Sequence, residues 1–261
     1  MLIAAAVCPH PPLLIPAATG APGPADPDLG RLRTACADAV AALLTEAPDL
    51  VVIVGGDPKT ERTAEYPPHT PGRLHDFGVP FTVGRAGQDA PELPLSLTIG
   101  TWLLSGHDTG QTAWWGIASA APPAECLQLG EKLAALAPRV ALLAMGDGPA
   151  RRARAAPLAV DPEADRYDDQ VAAALAAADP AALAALDPCH DRPLEIAGRA
   201  AWQVLAGAAG DERDAFDAEL RYRGVPFEVS YVVASWRRAH LYPWARTSSR
   251  LSGRPPPASP A

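Results

Sequence analysis

Cysteine is scarce and scattered in this chain of 261 residues, which holds four: Cys8, Cys36, Cys126 and Cys189, with no CxxC pair among them. That spacing fits reduced thiols better than a disulfide framework or structural zinc, so all four read as packing or incidental residues. Lysine occurs only at Lys59 and Lys132, and 22 basic against 30 acidic residues leave a formal net charge of −8. With nothing to neutralise a row of phosphates, neither nucleic acid nor an acidic membrane is an expected partner. Aromatic residues make up only 6%, and no apolar run approaches the ~20 residues that cross a bilayer as a helix. No GxGxxG or GxxxxGKS/T pattern occurs, so a nucleotide-binding loop is not signalled.

What the chain does have is apolar mass: 48% of it is hydrophobic, enough for a sizeable core. That supports one α/β domain over residues 1–245, with a central largely parallel sheet, flanking helices and a late β-hairpin. The apolar run Leu2 to Val7 breaks at Cys8-Pro9-His10-Pro11-Pro12. It lacks a basic leader region and is soon interrupted by prolines, so it reads as a buried strand instead of a signal peptide or membrane span, with a cytoplasmic location expected. In open α/β sheets ligands bind outside the carboxyl ends of the strands, which makes His10 a candidate functional residue. The plainer alternative is a loop histidine bonded to nearby backbone.

Strand and helix patterns then alternate. Asp26-Pro27 opens a helix to about Ala47, with Leu29, Leu32, Cys36, Val40 and Leu43 on one stripe, and Leu50 to Val54 is a strand buried on both faces, ending at Gly55-Gly56-Asp57-Pro58. A βαβ unit with parallel strands follows from the crossover rule. Residues 59–77 form a long proline-rich loop carrying His69 and His75, placed to cover a site. A short strand begins at Gly78 to Phe81. Further helices are expected at Leu95 to Ser105 and Pro122 to Leu136, and strands at Ala113 to Ser119 and Val140 to Ala144. The adjacent Trp114 and Trp115 would point to opposite faces of their strand. Three more helices (161–178, 180–186 and 191–208) precede the hairpin of 215–222 and 227–236, and residues 246–261 read as a disordered tail.

Three strand ends thus present His10, Asp57 and Asp147 to one crevice. Mixed histidine and carboxylate donors with open positions suit Fe(II) or another divalent metal. Aspartate is also an ordinary N-cap at strand-to-helix turns, which is the structural alternative for each acid. A third reading uses Gly55-Gly56 and Gly146-Asp147-Gly148, followed by Arg151 and Arg152, to hold a small anion.

The segments AVCPHPPLLIP, DLVVIVGGDP, MGDGPARR, LEIAGRAAWQVL and VSYVVASW, in this order, resemble the class III extradiol ring-cleavage dioxygenase superfamily of the LigB type, which includes Memo-like proteins. The resemblance implies a metal-dependent oxidoreductase acting on a small catechol-like aromatic. His10 matches the family's first iron-ligand histidine, and Glu195 matches its late glutamate ligand on a helix. Where the family carries its second ligand histidine this chain has Asp57-Pro58, and where it carries an acid/base histidine this chain has Gly148-Pro149-Ala150-Arg151. The site implied is therefore partly degenerate. Its metal ligands are His10, Asp57 and Glu195, its pocket residues Asp147, Arg151 and Trp202, and its catalytic residue is open, with His69 and His75 the candidates. For Glu195 the bland alternative is an i,i+4 ion pair with Arg199.

Two functions stay open at this point. One is a metal-dependent oxidoreductase using Fe(II) or another divalent metal, and the other is a metal-free relative binding a small anion or a partner protein in the ancestral site. A small-molecule substrate or ligand is the expected partner in the first case, and a homo-oligomer is compatible with either.

Overall fold

A computed structural model describes the chain except for residues 21–25, 61, 85–90, 151–161, 212–214 and 240–261. The expected tail of 246–261 lies outside the described residues. Strands β1 (Leu2–Cys8), β2 (Leu50–Asp57), β3 (Ala64–Tyr66), β4 (Gly72–Arg73), β5 (Thr82–Val83), β6 (Gln111–Ala118), β7 (Val140–Met145), β8 (Phe216–Gly224) and β9 (Tyr231–Arg238) alternate with helices. The helices are α1 (Pro27–Thr45), α2 (Leu95–Leu104), α3 (Pro123–Ala134), α4 (Pro162–Ala176), α5 (Pro180–Ala184), α6 (Asp191–Leu194) and α7 (Arg199–Ala209).

Seven strands form one sheet in the order β3-β6-β2-β7-β1-β9-β8, while β4 and β5 make a separate small pair. The inner strands β6, β2, β7 and β1 run parallel, and β3 and the β8–β9 hairpin add antiparallel edges. The centre of this sheet is buried on both faces, so β1, β2 and β7 read as continuous apolar runs with no polar alternation. Helices α1 and α2 cover one face and α3, α4 and α7 the other, each with its own apolar layer. Trp114 and Trp115 divide between these layers as the pleat requires. Trp115 is buried in the α3/α7 layer, and Trp114 packs in the α1/α2 layer and donates its indole N–H to Thr101 Oγ1 at 2.9 Å.

Helix α1 starts as its sequence signals. The Asp26 carboxylate accepts from the Asp28 and Leu29 amides at 2.9 and 3.3 Å, with Pro27 at the first helical position, a cap worth about 1 kcal/mol. The expected helix over 191–208 is, by contrast, two helices. α6 stops after one turn, Glu195 takes a left-handed conformation (φ 54°, ψ 45°), and α7 begins at Arg199. The break has a tertiary cause. The Ile196 amide closes back on Asp191 O at 2.8 Å, and the Ala197 amide donates to Asp147 O at 3.2 Å, so the segment is tied to the end of β7.

Candidate functional site at the strand ends

Parallel register brings the expected residues to one level. Met145 is paired with Cys8 on one side and with Gly55 on the other. Two residues further along each chain stand Asp147, His10 and Asp57. Neighbouring strands lie about 4.8 Å apart, so three candidate residues from distant parts of the sequence stand at one level at the carboxyl end of the sheet.

His10 and Asp147 are joined directly. The His10 backbone N–H donates to Asp147 Oδ1 at 2.7 Å, and the imidazole Nδ1 lies 3.5 Å from the same oxygen. Prolines flank the histidine, and Pro11 sits at φ −65°, so this loop is stiff. His10 is 8% exposed, and its buried Nδ1 has no hydrogen-bond partner among the described residues. Asp147 is held from beneath. The Gly146 amide donates to Cys8 O at 2.9 Å, continuing the ladder. The Gly148 amide donates to Ser230 O, and the Ser230 amide to Pro149 O, both at 2.9 Å. Ser230 Oγ in turn donates to the buried Asp168 at 2.6 Å, and Arg223 donates to that carboxylate at 2.8 Å. A polar column from α4 and the β8–β9 hairpin thus fixes the turn that carries Asp147.

Asp57 is equally buried but otherwise engaged. Its Oδ1 accepts from the Lys59 amide and its Oδ2 from the Tyr66 hydroxyl, both at 2.9 Å. Burial, and then the Asp57 hydrogen bond, push the Tyr66 phenol up to about 12. Tyr66 can lie there because Gly116 opposes it across the β3–β6 pair. A Cβ on Gly116 would stand 2.9 Å from the Tyr66 ring. The long loop therefore does close on a strand-end residue, through a tyrosine that sequence reading passed over. Its signal was the short alternating Ala64-Glu65-Tyr66 inside a proline-rich stretch.

The other candidates sit apart. Glu195 is exposed at the C-cap of α6 and not on a helix, in the segment that leads to the α7 face of the sheet. It does not form the i,i+4 pair with Arg199. The Arg199 guanidinium is 1% exposed and donates to Asp191 Oδ2 (2.5 Å), Gln203 Oε1 (2.7 Å), Ser119 O (3.0 Å) and Ala121 O (2.9 Å). A buried guanidinium must satisfy its donors, and the inward turn of α7 leaves Asp191 as its carboxylate. His69 and His75 are both exposed, and neither bonds to His10, Asp57 or Asp147. His75 shares a shallow surface depression with Arg73, Asp76 and Glu92. Trp202 is fully buried against Gly198, its indole Nε1 without a hydrogen-bond partner among the described residues, and it stands behind the Gly146 turn. Arg151 and Arg152 lie outside the described residues.

These placements do not fit the ferrous centre that the family resemblance implies. His10, Asp57 and Glu195 do not bring their ligand atoms within 4.8 Å of one another. Among the described residues the one group of three that does is Asp187, Cys189 and His190. Both Asp57 oxygens are already accepting, and Glu195 faces solvent from a different segment.

No helix among the described residues is long and apolar enough to cross a membrane. No known family profile matches the chain, and no curated protein matches it. The fold is similar to that in the crystal structure of an uncharacterized protein from Escherichia coli K12. The likeness spans 89% of this chain and 99% of that one at 17% identity, with a TM-score of 0.50. It is a likeness of fold.

Proposed function

We propose that the chain is a divergent class III extradiol dioxygenase-like (LigB-type) protein. Its strand-end crevice binds a small hydroxylated aromatic molecule by hydrogen bonds, without the family's iron centre. The observation that supports this most is the His10–Asp147 pair. A buried imidazole, held by its own backbone N–H and with its Nδ1 lacking a hydrogen-bond partner among the described residues, stands beside a carboxylate that is 16% exposed. Such a pair offers acceptor oxygens and an imidazole to a hydroxyl-bearing ligand, as polar anchors in small-molecule sites do. The carboxylates Asp57 and Asp147 stand at the strand ends and suit a ligand that brings hydroxyl donors.

The competing reading is oxygenation at an iron held by His10, Asp57 and Glu195. It requires Asp57 to share oxygens that Tyr66 and Lys59 already use, and Glu195 to turn in from solvent. Titration of chelator-treated protein with protocatechuate and catechol, followed by tryptophan fluorescence, separates the two. Saturable binding without metal, weakened at least about tenfold by His10→Ala and by Asp147→Asn, supports the metal-free site. Binding that appears only after Fe(II) is added sinks it.

A further inference from the structure

The geometry points to a second site, independent of the strand-end crevice, in which Asp187, Cys189 and His190 bind one divalent cation of the zinc type. The three residues fall in the four-residue run Asp187-Pro188-Cys189-His190 between α5 and α6. Each offers a ligand atom, and these atoms all lie within 4.8 Å of one another.

The donor set is chemically selective. A thiolate and an imidazole favour a borderline ion such as Zn(II) over Mg(II) or Ca(II), and one thiolate with one carboxylate balances its charge. The local backbone presents the donors on one side. Asp187 Oδ1 accepts from the Cys189 amide at 2.8 Å, which folds the run into a single turn and leaves Oδ2 outside that bond.

A second element reaches the same place. Glu163, in the first turn of α4, sets Oε1 3.5 Å from His190 Nδ1, while Arg166 holds its Oε2 at 2.9 Å. The Tyr167 ring lies 5.9 Å from the His190 ring and backs it from the core side. Tyr167 is itself 3% exposed, and its buried hydroxyl has no hydrogen-bond partner among the described residues, as is true of Asp191 Oδ1 next to His190 in sequence. The cluster thus joins a thiol, an imidazole and carboxylates from two separate segments, with the Tyr167 ring against His190. An ion held there would tie the α5–α6 connection to the start of α4.

The test is metal binding by the full chain after removal of ions with a chelator. Zn(II) is titrated in competition with a chromophoric chelator, and Co(II) serves as the spectroscopic probe. One ion per chain is expected, with a thiolate-to-cobalt charge-transfer band in the near ultraviolet. Cys189→Ser should abolish the band, and both Cys189→Ser and His190→Gln should weaken Zn(II) binding at least about tenfold. His10→Ala should leave it unchanged, which separates this site from the strand ends. Cys189 is exposed and His190 half-buried, so both variants should match the wild type in circular dichroism and in metal-free Tm. Absence of stoichiometric binding, or full affinity in either variant, overturns the proposal.

Discussion

Asp147 Oδ1 accepts the backbone N–H of His10 at 2.7 Å while standing 3.5 Å from the same residue's imidazole Nδ1. One carboxylate thereby fixes the main chain, and stands beside the ring, of a residue 137 positions away, where β1 and β7 end side by side. Asp147→Ala removes the acceptor from a buried amide and should cost about 1–3 kcal/mol of stability by urea unfolding. Asp147→Asn, which keeps an acceptor oxygen, should recover most of that loss while still weakening ligand binding. Equal destabilisation by the two variants would show that the amide bond is not what Asp147 supplies.

Tyr66 gives a pH signature. Its phenol is pushed up to about 12 by burial and by Asp57, against about 10 in an unfolded chain. A raised folded pKa means that the stabilisation is fully present below pH ~10 and is lost as pH rises toward about 12. Spectrophotometric titration of tyrosinate in wild type minus Tyr66→Phe should therefore show a transition near 12. A difference transition centred near 10 would mean that Tyr66 does not hold Asp57 in solution.

Arg199 and Glu195 should behave oppositely. Arg199→Met leaves the half-buried Asp191 without its guanidinium and should cost about 3–5 kcal/mol, because breaking a buried ion pair strands a charge. Glu195→Gly replaces a left-handed, exposed residue with the one best suited to that conformation, and stability should stay within about 1 kcal/mol of wild type. A large loss in Glu195→Gly, with a small one in Arg199→Met, would restore Glu195 as the buried member.

Gly198→Ala tests the packing of Trp202 behind the Gly146 turn. A Cβ there would come within 2.2 Å of the Trp202 ring, so the indole must move or the α7 entrance must shift. Overpacking of this kind costs about 1–3 kcal/mol, and the near-ultraviolet circular dichroism of tryptophan should change with it. An unchanged spectrum and Tm would mean that the indole is not packed on this glycine.

Much of the fold was legible because burial on both faces writes itself as uninterrupted apolar runs. Leu50 to Val54 and Val140 to Ala144 announce central parallel strands, and Asp26-Pro27 marks a helix start within a residue. The common level of His10, Asp57 and Asp147 followed from the same signal, since each comes directly after such a run. What stayed hidden depended on contacts across the chain. Glu195 looked helical because its neighbours keep the helical period, yet backbone bonds from Ile196 and Ala197 break the helix there. Tyr66 lay in a stretch without periodicity and acquires its role only through Gly116 on another strand. Cys189 looked incidental because its companions Asp187 and His190 follow no familiar ligand spacing, although the turn brings their donor atoms together.

The most direct test of a strand-end site that binds without iron is an oxygenation assay. Chelator-treated protein is reloaded with Fe(II) without oxygen and mixed with protocatechuate, and oxygen is then admitted while absorbance is followed. The account predicts that protocatechuate binds with or without iron, and that no yellow ring-opened product accumulates above the free-iron control. Sustained conversion by the wild type, abolished in His10→Ala, would contradict it and place a working iron centre at His10.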